Sequence, residues 1–146
     1  VGIEAVLGTL RSYLTGKVLD LGCGDGLATK LLGGDCIGCD QSSEMISRYH
    51  QETGCPGYVR TFWDELPLAN SAVAVYSMHL CEPSRVSMMW YRLNEAGAES
   101  VVVITPLKSK PDNPNAFYSL VDSISEGCGP DGKVIHGKVY RRSQPR

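Results

Sequence analysis

The chain has 146 residues, 42% of them hydrophobic and 21% charged, with a net charge of −2, the balance of one ordinary globular domain spanning residues 1–146. No apolar run approaches the ~18–20 residues of a membrane span and no secretory pattern opens the chain, so the expected location is cytoplasmic. The charge balance gives no global reason for nucleic-acid binding, and the start at Val1 rather than Met leaves a processed product or a fragment open.

Ile3, Val6, Leu7, Leu10 and Leu14 fall at helical spacing and predict an amphipathic helix ending near Gly16. Val18 to Leu21 reads as a buried strand end. It runs into Gly22, Gly24 and Gly26, and Leu27 to Leu32 then reads as a helix stopped by Gly33-Gly34. Glycines let the chain turn sharply and let a ligand approach the backbone, and the new helix offers unpaired N–H groups beside it. A second strand, Cys36 to Asp40, completes a compact βαβ unit. The pattern is G-x-G-x-G, and Leu27 stands where a dinucleotide fold places its third glycine, which argues against NAD. Asp20, just before the first glycine, is expected to face the ligand. Asp40, ending the second strand, is placed to accept hydrogen bonds from both hydroxyls of a ribose.

V-L-D-L-G-C-G-D-G followed by C-I-G-C-D-Q-S-S-E-M-I resembles the class I S-adenosylmethionine-dependent methyltransferases, over residues 17 to about 110 and more loosely in the tail. The resemblance implies a doubly wound, mostly parallel α/β sheet flanked by helices on both faces, and S-adenosylmethionine as cofactor, with S-adenosylhomocysteine as product. It carries Asp20, Gly22, Cys23, Gly24 and Gly26 over as the cofactor loop and Asp40 as the ribose ligand. Gln41, Met45, Trp63 and Asp64 carry over as adenosine contacts, Met45 being equally readable as core. The family's N-terminal extension is almost absent, so the pocket is either open or covered by another segment or a partner chain.

Gln41-Ser42-Ser43-Glu44 opens a helix running to about Glu52, with Ser42 or Ser43 as its cap, and Gly57 to Arg60 is a short third strand. Thr61 to Pro67 resembles the family's stretch ending in Leu-Pro, with Phe62 where many relatives have an acid and Asn70 where another acid is usual. Ser71 to Leu80 is the fourth strand and its exit, at the sheet edge where open α/β folds bind ligands. His79 lies there. Its side chain titrates near neutrality, so it is the candidate catalytic base, against a purely structural role. Glu82 is a weaker candidate, since Glu82-Pro83 also reads as a helix start. Ser84 to Glu95 is a helix, Ser100 to Thr105 a central strand, and Lys108 and Lys110 read as solvated loop charges. Asn113-Pro114-Asn115 follows the wrong strand for an adenine-methyltransferase motif. Phe117 to Ile124 is predicted as a last helix and Lys133 to Arg142 as a single final strand, leaving the C-terminal part shortened.

Cys36 and Cys39 form a C-x-x-C, but inside a strand and without a second pair, so strand packing is favoured over zinc. The tail's Lys133, Lys138, Arg141, Arg142 and Arg146 suit a charge-guarded edge strand. The leading reading is methyl transfer to an oxygen or nitrogen of a small or medium-sized acceptor. The alternatives are tRNA or mRNA-cap methylation and a non-catalytic subunit that scaffolds a partner.

Overall fold

The computed structural model describes residues 2–110, 114 and 116–143. In chain order the elements are α1 (Ile3–Leu10), β1 (Val18–Leu21), α2 (Leu27–Leu32), β2 (Cys36–Asp40), α3 (Ser43–Thr53), β3 (Gly57–Val59), β4 (Ser71–Val75), α4 (Val86–Glu95), β5 (Ser100–Thr105), β6 (Tyr118–Glu126) and β7 (Ile135–Arg142). One seven-stranded sheet has the order β3-β2-β1-β4-β5-β7-β6. The first five strands in that order are parallel, while β7 runs antiparallel between β5 and β6.

Every residue of β5 is buried, because helices cover both faces of the sheet and alternate side chains enter opposite cores. Leu19, Leu21, Ala72, Ala74, Val101 and Val103 join Met89, Trp90 and Leu93 of α4 in one core. Val18, Val73, Val102 and Ile104 join Val6, Leu7 and Leu10 of α1 and Ala28 of α2 in the other. Cys36 belongs to the second core and Cys39 to the first. The C-x-x-C thiols thus point to opposite sides of the sheet, as side chains three apart on a strand must.

The C-terminal part requires a correction. Residues 118–126, which overlap most of the predicted last helix, form strand β6, paired with β7 from Tyr118↔Arg142 to Glu126↔Ile135. Both C-terminal strands are therefore present. Tyr118 fixes the pairing: its hydroxyl donates to Ala98 O at 2.6 Å and its ring lies 5.4 Å from that of Trp90. The basic tail also finds internal partners. Lys138 Nζ donates to the carbonyls of Lys108 and Lys110, and Arg142 to Glu99 and Asn94 O. The Arg141 guanidinium lies 5.4 Å from the Tyr13 ring centroid. Asn113, Asn115 and Arg146 lie outside the described residues.

Candidate functional site

Strand β1 lies between β2 and β4, so the connections leaving it and β4 diverge, and a crevice opens at the carboxyl ends of the strands. The glycine loop borders it through Gly22. Gly22, Gly24 and Gly26 have φ of 69°, 53° and 100°, in the left-handed region that glycine enters without strain. A Cβ on Gly22 would lie 2.4 Å from Ser77 Cβ, and one on Gly26 2.5 Å from Thr53 Cγ2, whereas one on Gly24 would meet nothing within 4 Å. Gly22 and Gly26 thus allow close packing beneath the loop, and Gly24 faces open space. The amides of Gly22 and Cys23 both donate to Cys39 O, at 2.8 and 2.9 Å. Asp40 closes the frame: its Oδ2 accepts from the Gly24 amide at 3.0 Å and its Oδ1 from the Ser42 amide at 2.9 Å.

Asp20 does not face the crevice. It is 2% exposed and accepts a hydrogen bond from the Thr29 hydroxyl at 2.9 Å, which itself lies 2.8 Å from Tyr49 Oη. The alternation along β1 turns this side chain toward α2 and α3 rather than out at the strand end. Burial pushes its carboxyl up to about 7, against the lowering effect of the Thr29 bonds. Asp20 therefore acts from beneath the loop, holding α2 and α3 to β1.

The crevice is a cleft of 340 Å³, within the range of small-molecule sites. Gly22, Asp40, Gln41, Phe62, Trp63 and Tyr76 are among the residues on its walls. Trp63 is held from behind. Arg92 Nε donates to its carbonyl at 3.0 Å, and the Arg85 guanidinium stands 5.0 Å from its ring centroid. Three predicted contacts take other positions. Asp64 accepts from the Thr61 amide at 2.7 Å, a bond that closes its own turn and holds its carboxyl below the usual range. The Met45 amide donates to the Ser42 hydroxyl, which caps α3. Cys23 is buried, and burial pushes its thiol up. None of these three side chains lines the cleft.

His79 lies in the short 3-10 turn Met78–Leu80 that follows β4. Burial lowers its pKa, with Asp131 opposing, which favours the neutral ring. Its neighbours Tyr76, Ser77 and Leu80 line the cleft while His79 does not. The Ser77 hydroxyl donates to Leu21 O at 2.8 Å, tying the β4 exit to the glycine loop. Asn70, the departure at the start of β4, accepts from the Lys17 amide at 2.8 Å, a structural task.

A family model described as a methyltransferase domain matches residues 19–100, from β1 to the start of β5. The chain belongs to the class I S-adenosylmethionine-dependent methyltransferases. Its fold is similar to that of the N-methyltransferase NodS from Bradyrhizobium japonicum in complex with S-adenosyl-L-homocysteine, with a TM-score of 0.76 at 14% identity over 97% of this chain and 87% of that one. Magnesium protoporphyrin IX methyltransferase from Synechocystis with bound S-adenosylmethionine matches with a TM-score of 0.70 at 15% identity, over 97% of this chain and 76% of that one. A TehB-like methyltransferase from Corynebacterium glutamicum gives 0.72 at 16%, over 95% and 86%. No curated protein matches the sequence.

Several parts of this candidate site escape sequence reasoning. Thr29 and Tyr49 complete the network under the loop, and Arg60, Thr61 and Ser77 line the cleft. Tyr76 stands at φ 52° beside it. Only the position of Tyr76 at a strand exit marks it in the sequence. Its neighbours Ile104 and Gly129 come from distant segments.

Proposed function

We propose that this methyltransferase moves a methyl group from S-adenosylmethionine to an oxygen or nitrogen of a small or medium-sized acceptor molecule. The observation that carries the reading is Asp40. A carboxylate offers about four lone-pair sites, and the Gly24 and Ser42 amides take one on each oxygen. The remaining sites, on the cleft wall, suit the two hydroxyls of a ribose. The open space at Gly24 suits the cofactor's approach to the loop, and Phe62, Trp63 and Gln41 offer apolar and polar surface to its adenine. The residues present therefore fit the cofactor.

Bound there, S-adenosylmethionine supplies a methyl already activated on a sulfonium. The protein's task is to hold the acceptor in line and exclude water, a contribution of ~7–11 kcal/mol from positioning alone. His79, whose neutral form burial favours, stands behind the cleft-lining Ser77 and Leu80 and is the base assigned to the acceptor's proton. The small acceptor is favoured by the modest size of the cleft and by relatives described as a magnesium protoporphyrin IX methyltransferase and as an N-methyltransferase.

Calorimetric titration with S-adenosylmethionine, S-adenosylhomocysteine and NAD tests the reading. Binding of the two adenosyl ligands without NAD is expected, and NAD binding alone contradicts it. His79→Ala is expected to lower turnover with cofactor affinity unchanged; lost cofactor binding makes the residue structural.

A further inference from the structure

Tyr76 is the one non-glycine residue with positive φ among the described residues. Such a conformation is strained and persists where the surroundings over-determine it, commonly at functional sites. Here the surroundings are the Ile104 carbonyl, which accepts from the Tyr76 amide at 2.7 Å, and the turn joining β6 to β7. A Cβ on Gly129 of that turn would lie 2.1 Å from Tyr76 Oη and 3.3 Å from Asp131 Oδ1, so only glycine lets the turn close over the phenol. The Tyr76 ring meets the His79 ring edge-on, with centroids 6.1 Å apart. Tyr76 Oη and His79 Nδ1 are both buried, and neither has a hydrogen-bond partner among the described residues. Buried polar atoms are nearly always paired. Tyr76 stands on the wall of the cleft, so a group entering from there can supply the missing partners.

Resting on the methyltransferase reading above, we propose that Tyr76 and His79 form the methyl-acceptor subsite, that it receives an uncharged hydroxyl, and that the β6–β7 turn is its cover. One hydroxyl can accept from a phenol O–H and donate its own proton to an imidazole nitrogen, so a single group carries the acceptor and the donor that the two orphans lack. Burial raises the Tyr76 phenol and lowers His79, which keeps the first a donor and the second an acceptor at neutral pH. A carboxylate would meet Asp131 in the turn and Glu82 on the cleft wall. An ammonium has no lone pair to offer Tyr76, and burying it carries a large desolvation penalty. Within the turn Gly129 donates to Lys133 O at 2.9 Å and Gly132 to Gly129 O at 3.0 Å, and Gly127 and Gly132 stand at φ 76° and 78°.

The test uses the whole chain loaded with S-adenosylhomocysteine, whose binding is measured first. Failure to bind it overturns the methyltransferase reading and this proposal with it. Phenol, benzoate and benzylamine are then titrated separately while the His79 ring resonances are followed by NMR. Phenol is expected to shift them saturably and to bind about ten-fold less tightly in Tyr76→Phe, the loss of one hydrogen bond, both proteins being compared when saturated with S-adenosylhomocysteine. The amides of Gly129 and Gly132 are expected to gain protection from hydrogen exchange when phenol binds. Benzoate or benzylamine binding as tightly as phenol, or phenol indifferent to Tyr76→Phe, overturns the hydroxyl subsite. Unchanged amide protection overturns the cover.

Discussion

The Gly24 amide donates to Asp40 Oδ2 at 3.0 Å, so the loop that leaves β1 is held by the side chain that ends β2. The other oxygen of Asp40 is engaged by the Ser42 amide, which fixes the carboxylate's plane. A ligand meeting Asp40 therefore finds both the loop and the acid already in place. Pre-organisation of this kind lowers the ordering cost of binding.

The three glycines should not respond alike to alanine. Gly24→Ala faces open space, so only the left-handed backbone opposes it, at about 1–2 kcal/mol. Gly22→Ala adds the collision with Ser77, and overpacking of that kind costs about 1–3 kcal/mol more. Urea denaturation of the two variants should place Gly22→Ala clearly below Gly24→Ala. Equal stabilities would mean that the loop is not packed on the β4 exit.

Asp20 gives the protein a pH signature. Its folded pKa of about 7 lies above the ordinary value of 3.8, so between those values the native state holds a proton that the unfolded chain has released. The stability contributed by that protonated carboxyl is complete below about pH 4 and is lost as pH rises through 7. Asp20→Asn carries no such titration. Wild type should lose stability relative to the variant between pH 4 and 8, by up to about 4 kcal/mol. Parallel profiles in chemical denaturation would show that Asp20 is not buried beneath the loop.

The parts of this protein set by local pattern are legible in its sequence. Strands β1, β2 and β5 and helix α2 fall where glycine punctuation and apolar runs place them. Strand β6 does not. Phe117, Leu120, Val121 and Ile124 fall at i, i+3, i+4 and i+7, which imitates a helix face. The strand carries an irregularity between Leu120 and Asp122, and a bulge of that kind breaks the alternation that identifies a strand. At the site, Gly24 and Asp40 meet through a short βαβ unit, so their spacing is readable. The inward turn of Asp20 depends on which face α2 and α3 cover, and the contact of Tyr76 with Gly129 depends on how the last hairpin returns across the sheet. Such tertiary relations leave no local spacing to read.

The two arginines that end β7 should separate by burial. The Arg142 side chain is 3% exposed while its partner Glu99 is 61% exposed, and it also donates to Asn94 O at 2.7 Å. Arg142→Ala should cost about 1.5–3 kcal/mol, the range for hydrogen bonds involving a charged group. Arg141, exposed and resting on Tyr13, should cost no more than about 1 kcal/mol as alanine. Thermal denaturation of both variants checks this, and a larger loss from Arg141→Ala would contradict the assigned packing of the hairpin.

The central claim is that Asp40 presents its free lone pairs to the ribose of the cofactor. Its most direct test is the dissociation constant of S-adenosylhomocysteine for the wild type and for Asp40→Ala, measured by calorimetry on protein shown to be folded. A loss of about 1.5–3 kcal/mol in binding free energy is predicted, roughly ten-fold to over a hundred-fold in affinity. Equal affinities for the two proteins would contradict the account.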